Sequence, residues 1–290
     1  MKLRIGIMLL VLFSCSKKAV ETDQSSFNGP RELGEIDKRI PEASGMASSV
    51  VNPGYIWVIN DSGNPAEVFL IDTTASVKMT CRLAVDNVDW EDIAVGPGPD
   101  PGKTYVYVAE IGDNNAAHDF KYVYRFEEPV DTVEIRDIVL TDTLKIQLSD
   151  GKRDTETLMI DPLTKDLYLI SKREDSVGVY KVAHPFGKGT LTAQKVATIP
   201  YFNIVAGSFS KDGLEILLKD YDHIYYWTRS KDDALEKVLL TAPEELPYER
   251  EAQGESITFS QDGSGYYTLS ETNPGKAAFL KFYGRGDVGM

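Results

Sequence analysis

Short runs of β-branched and aromatic residues recur along the chain, divided by clusters of Gly, Pro, Asn and Asp. Tyr55-Ile56-Trp57-Val58-Ile59 is one such run, and it follows the turn signal Asn52-Pro53-Gly54. Runs of this length between turn residues predict strands. Between residues 43 and 85 the pattern predicts four of them, near 43–49, 55–60, 67–72 and 80–85. No stretch carries an amphipathic helical period of useful length. The expected class is therefore all-β.

One phrase repeats: an acid, small residues, a turn, an aromatic-rich strand, then a polar cluster. It opens at Glu42, Glu91, Glu156 and Glu255. A further copy is found through its turn, because Phe209-Ser210-Lys211-Asp212-Gly213 matches Phe259-Ser260-Gln261-Asp262-Gly263 and puts Val205 at the acid position. Successive copies are 49, 65, 49 and 50 residues apart. An all-β repeat of roughly 40–50 residues is the signature of a propeller blade. The expectation is a five-bladed β-propeller; a β-sandwich gives no reason for a regular repeat. The last copy leaves chain for only three strands, so residues near 33–40 are expected to supply its outer one and close the ring. The long interval carries an insertion at Glu127–Asp150 whose alternation predicts extra or lengthened outer strands. A six-bladed ring, with a blade hidden there, is the alternative.

In a blade the first strand lines the channel and the second returns antiparallel beside it. The start of one and the end of the other share a rim. Glu42, Glu91, Glu156 and Glu255 would therefore face Asn60, Asp61, Glu110, Lys172, Lys219 and Glu271. The Asx-rich loops 60–64 and 110–115, the latter with Asp113 and Asn114, follow equivalent strands. Convergent carboxylates cannot all remain ionised and desolvated. Ca²⁺ held by the four glutamates is one resolution, since it takes several oxygen ligands in flexible geometry. Pairing with Lys172 and Lys219, or a water-filled channel, are others. A glutamate needed once per blade to satisfy backbone amides would repeat in the same way.

The N-terminus adds a location. Met1-Lys2-Leu3-Arg4, an apolar run from Ile5 to Phe13, and Ser14-Cys15 predict a signal peptide over residues 1–14 with lipidation at Cys15. Residues 15–32 read as a lipid-anchored tether and 33–290 as a single propeller domain, exported to the periplasm or outer-membrane surface. The membrane is then a partner through the lipid. Cys81, the other cysteine, sits in an apolar alternation and reads as a buried hydrophobe. The net charge of −14 lacks the basic footprint of a nucleic-acid binder. No nucleophile elbow, zinc-protease motif or phosphate loop is present. His118, His184 and His223 all lie outside the repeated rim positions.

Glu42-Ala43-Ser44-Gly45, Trp57-Val58-Ile59-Asn60-Asp61-Ser62-Gly63-Asn64, Asp89-Trp90-Glu91-Asp92-Ile93-Ala94, Glu110-Ile111-Gly112-Asp113-Asn114 and Gln253-Gly254-Glu255-Ser256 resemble a family of uncharacterised bacterial β-propeller lipoproteins, PE-PGRS-like. More remotely they are similar to the SdiA-regulated and esterase-like phytase propellers. The remote resemblance implies a calcium-containing channel and phosphoester hydrolysis. Val205 departs from that pattern, as do the lysines Lys172 and Lys219. Two functions follow: a module binding a small molecule or protein at an acidic rim, or a metal-dependent phosphoester hydrolase. Nothing in the chain specifies an oligomeric state.

Overall fold

Aromatic and β-branched runs become strands here because both of their faces find apolar neighbours. The computed structural model describes residues 26–130, 133–273 and 276–286. The expected signal peptide, Cys15 and the tether up to residue 25 lie outside the described residues. After β1 (Arg31–Glu35) the first repeat gives β2 (Ala43–Ser48), β3 (Tyr55–Asn60), β4 (Glu67–Asp72) and β5 (Val77–Leu83), close to the four expected strands. The second gives β6 (Trp90–Pro97), β7 (Thr104–Glu110) and β8 (Lys121–Glu127), then the inserted β9 (Ile135–Ile138) and β10 (Asp142–Leu148). The third is β11 (Thr155–Ile160), β12 (Leu167–Ser171), β13 (Val177–Val182) and β14 (Thr190–Ile199). The fourth is β15 (Ala206–Phe209), β16 (Glu215–Lys219), β17 (Ile224–Thr228), one helical turn α1 (Leu235–Val238) and β18 (Glu244–Leu246). The last is β19 (Ser256–Phe259), β20 (Gly265–Leu269) and β21 (Phe279–Gly284). Gly213 and Gly263 sit in matching turns of the last two repeats, both at φ +72°, which an L-residue rarely adopts.

Each repeat is an antiparallel meander. The insertion makes no sheet of its own: β10 completes the second repeat beside β8, and β9 adds a parallel fifth strand to β5. A parallel β10–β14 pair joins the second and third repeats into one eight-stranded sheet. β1 pairs antiparallel with β21 and supplies the outer strand of the last sheet.

The first strands are neighbours in a cycle: β2 packs on β6, β6 on β11, β11 on β15, β15 on β19, and β19 back on β2. The core is divided in the same way. Alternate residues of β3 go to opposite sides, Trp57 and Ile59 into a cluster shared with the second repeat, Ile56 and Val58 into one shared with the last. Three further clusters fill the remaining interfaces. The arrangement is all-β and propeller-like. Each fully buried large side chain contributes roughly 1.5–3 kcal/mol of transfer free energy, so every interface, with ten or more buried hydrophobic residues, carries substantial cohesion.

Candidate functional site

The pairing register decides which polar residues share a level. β2 pairs Ala43 with Asn60 and then Gly45 with Ile59, leaving Ser44 unopposed. β6 skips Glu91 in the same way, and β11 skips Glu156. A bulge of this kind re-aims the extra residue. In the unbulged repeats Ala206 pairs with Lys219 and Ser256 with Leu269. Counting from these pairs, Ser44, Glu91, Glu156, Val205 and Glu255 form one level. Glu42, Asp89, Asp154, Asn203 and Gln253 form another, two residues earlier. Asp61, Ile111, Lys172, Tyr221 and Glu271 face them from the second strands. Glu42 therefore belongs with Asp89 and Asp154 rather than with Glu91.

A chain of polar contacts crosses this end of the channel. Lys172 Nζ lies 2.9 Å from Glu156 Oε1 and 3.7 Å from Glu255 Oε1. Tyr221 donates its hydroxyl to Glu255, and the Lys172 ammonium sits 5.4 Å from the Tyr221 ring centroid. Burial lifts the Glu91 carboxyl well above its ordinary value, and the charge of Glu156 adds to the effect. Of the pair, Glu91 is the carboxyl held toward its protonated form, beside Glu156. Burial also pushes Glu156 up, to about 7, against the opposing pull of Lys172 and Glu91. Glu271 rises to about 8 through burial and the charges of Glu255, Asp61 and Glu42. Burial raises Asp61 and Asp89 as well. Burial opposes the charge on Lys172, but Glu156, Glu255 and Tyr221 outweigh it and keep the ammonium protonated.

Oxygens of Asp61, Asp89 and Glu91 lie within 4.8 Å of one another, as do those of Glu91, Asp154 and Glu156. Such all-oxygen sets match the chemistry of a hard cation. Gly112 makes the packing possible, since a Cβ there would stand 2.2 Å from Glu91 Oε1 and 2.4 Å from Asp89 Oδ2.

Other expected rim residues have their polar atoms directed elsewhere. Asn60 accepts from the Glu42 amide at 3.1 Å and donates to the Arg39 carbonyl at 2.8 Å. Glu110 accepts from the amides of Val88 and Asp89 at 3.0 and 2.6 Å. Asp113 accepts from the amides of Ala117 and His118 and pairs with Lys121 at 3.3 Å. Asn114 accepts from Arg173, and Glu42 from Asn64. Lys219 is fully buried, two residues before the level of Lys172. Its ammonium donates to the carbonyls of Asp220 and Gly254 and lies 4.3 Å from the Tyr248 ring centroid. Burial lowers it to about 8.

Asp89, Asp154 and Tyr221 join this end of the channel in addition to the residues expected there. The signal for the first two was present as Asp89-Trp90-Glu91 and Asp154-Thr155-Glu156, the same spacing twice. Asp92 is a further addition. It is fully buried, accepts from the amides of Ile93 and Leu158 at 2.8 Å each, and staples β6 to β11.

No protein-family model matches the chain. No curated protein matches it either. Among solved structures it is similar to a Kuenenia stuttgartiensis hydrazine synthase chain, at 13% identity and TM-score 0.44, over 88% of this chain and 98% of that one. It is also similar to the Dos1 propeller, at 10% identity and TM-score 0.39, over 84% and 60%. At these levels the arrangement of strands above, not the neighbours, carries the account of the fold.

Proposed function

We propose that the chain is a five-bladed β-propeller, exported and held at a membrane through a lipid on Cys15, whose acidic channel end binds a ligand or partner around a divalent cation of the Ca²⁺ kind. The cyclic contact of β2, β6, β11, β15 and β19 supports the count of five. The insertion supports it too, because β9 and β10 join existing sheets. The reading keeps the family resemblance to lipid-anchored propellers of the PE-PGRS-like kind.

The observation that carries the functional reading is the gathering of carboxylate oxygens from Asp61, Asp89, Glu91, Asp154 and Glu156 into two sets that share Glu91, each within 4.8 Å, with burial holding the Glu91 carboxyl toward its protonated form. A cation would displace the Glu91 proton and neutralise the cluster. Asp61, Asp89, Glu91, Asp154 and Glu156 are the residues that would hold it. A binding role is favoured over phosphoester hydrolysis by Lys172. Its ammonium is already engaged by Glu156 and Glu255, so a phosphate would meet carboxylates first.

Calorimetric titration of Ca²⁺ into metal-stripped protein, in buffers of different ionisation enthalpy, is the test. Binding with proton release is expected, because the coordinating carboxyls must be deprotonated. At a hundredfold excess over Kd the cation should add about 2.7 kcal/mol of stability. No binding heat and an unmoved melting temperature would reject the cation. Turnover of aryl phosphates abolished by Glu91→Gln would favour hydrolysis instead. Cys15→Ala should release the protein from membranes, and unchanged retention would reject the anchor.

A further inference from the structure

The first strands run away from the acidic end, and at their other ends they enclose a cavity of about 450 Å³. That volume falls within the range of small-molecule sites, roughly 300–1,000 Å³. Much of its wall is apolar: Met46, Ile93, Leu158, Ile160, Phe209 and Phe259 all line it. The fourth repeat contributes Gly207 and Ser208 at levels where the third has Leu158 and Met159, which widens the space on that side. Two serine hydroxyls of the wall are already spent within the protein. Ser48 Oγ donates to the Phe259 carbonyl at 2.6 Å, and Ser208 Oγ accepts from the Phe259 amide at 3.3 Å. Apart from Gln261, whose Oε1 is buried without a partner, the interior asks for an apolar occupant, and apolar cavities take up hydrocarbon in preference to water.

The mouth has a charge. Lys165 and Lys211, on the loops that follow β11 and β15, also line the cavity. Among the described residues neither forms an ion pair, whereas Lys103 on the same lining is held by Glu127 at 2.7 Å. Two uncommitted ammonium groups beside an apolar hole stand out in a chain of net charge −14. The acidic surface does not cancel them at physiological salt, where screening sets in over about 8 Å.

We infer that this end of the channel binds a single-chain amphiphile with an anionic head, a straight-chain carboxylate, its hydrocarbon between Ile93, Leu158 and Phe209 and its carboxylate at Lys165 and Lys211. The site is independent of the acidic end, and either can fail without the other.

Calorimetric titration of full-length Cys15→Ser protein with decanoate, decyltrimethylammonium and hexanoate tests it. Decanoate should bind, hexanoate at least tenfold more weakly, and the ammonium amphiphile more weakly than decanoate. Lys165→Asn combined with Lys211→Gln should weaken decanoate about three- to tenfold, the range for two partly exposed ion pairs. Asn is chosen because Lys165 has φ +65°, a conformation Asn tolerates. Ala94→Phe, at a half-buried lining position, should abolish decanoate binding with the melting profile preserved. If that profile changes, Ser208→Phe replaces it as the blocking variant. Equal or tighter binding of the cationic amphiphile overturns the proposal. So does decanoate binding that a folded blocking variant leaves intact, or the absence of decanoate binding.

Discussion

Replacing Glu91 by Gln should leave the protein more stable at alkaline pH, although it removes a buried side chain's native chemistry. Glu156 titrates at about 7 in the fold against an ordinary 4.5. At 1.36 kcal/mol per unit, ionising it in place costs about 3 kcal/mol relative to the unfolded chain. The folded value is the higher one, so the native state binds more protons between the two values. This contribution is fully present below about pH 4.5 and is lost as pH rises through 7. Glu91 lies above its ordinary value for the same cause, burial, with the Glu156 charge added. Glutamine keeps a donor toward Glu156 and brings no charge of its own, and Lys172 at 2.9 Å remains to balance Glu156. In EDTA, Glu91→Gln should match the native protein within about 1 kcal/mol at pH 4.5. At pH 8.5 it should exceed it, because the substitution removes the Glu91 carboxyl whose ionisation burial and the Glu156 charge oppose. Urea unfolding followed by tryptophan fluorescence reads both values. A variant less stable than the parent at pH 8.5, or a difference that does not change with pH, would refute the account of a proton held at Glu91.

Three other outcomes follow. Lys172→Met strands Glu156 and Glu255 without their cation and should cost about 3–5 kcal/mol at pH 7, with partial recovery at pH 5 as Glu156 protonates; equal loss at both values would count against it. Glu128 accepts from Ser49 Oγ, the amides of Val50 and Val51, and Trp57 Nε1 at 2.6–3.3 Å. Glu128→Ala should therefore cost roughly 3 kcal/mol or more, with a change in Trp57 fluorescence, and a loss below 1 kcal/mol would contradict it. Removing residues up to 36 strips β1 from β21 and bares the edge of the last sheet, so light scattering should report association on warming well before the intact chain.

Much of the architecture is legible in the residues. Trp57 and Tyr107 sit in aromatic-rich runs whose spacing gave the repeat, and the chain's shortage of strands at its end pointed to a contribution from before Glu42. The level of each polar residue was harder to read. Glu42-Ala43-Ser44 and Asp89-Trp90-Glu91 carry an acid at different positions of one frame, and only the bulges at Ser44 and Glu91 reveal the two-residue offset. Lys219 misleads for a similar reason. It stands beside a polar cluster in sequence, but the pairing with Ala206 sets it one full strand period inside the level of Lys172, in the wall rather than the channel. The Asx-rich loops were ambiguous because Asn and Asp serve both turns and ligands. Asp113 and Asn60 bond to backbone, a use that composition does not distinguish from coordination.

The pairing of β1 with β21 also gives the ring a movable seam. The amide of Asn28 donates to the Gly284 carbonyl at 2.8 Å, and that of Gly286 to the Ser26 carbonyl at 3.0 Å, so the two described ends of the chain leave the same sheet side by side. A short linker joining them, with new ends cut at the exposed Asp212 turn, would give a circular permutant with every strand pair intact. In that permutant the fourth sheet, not the last, would be assembled from both ends of the chain. Closure of the fourth sheet would then become the step that waits for the whole polypeptide, and the fifth would form from contiguous sequence.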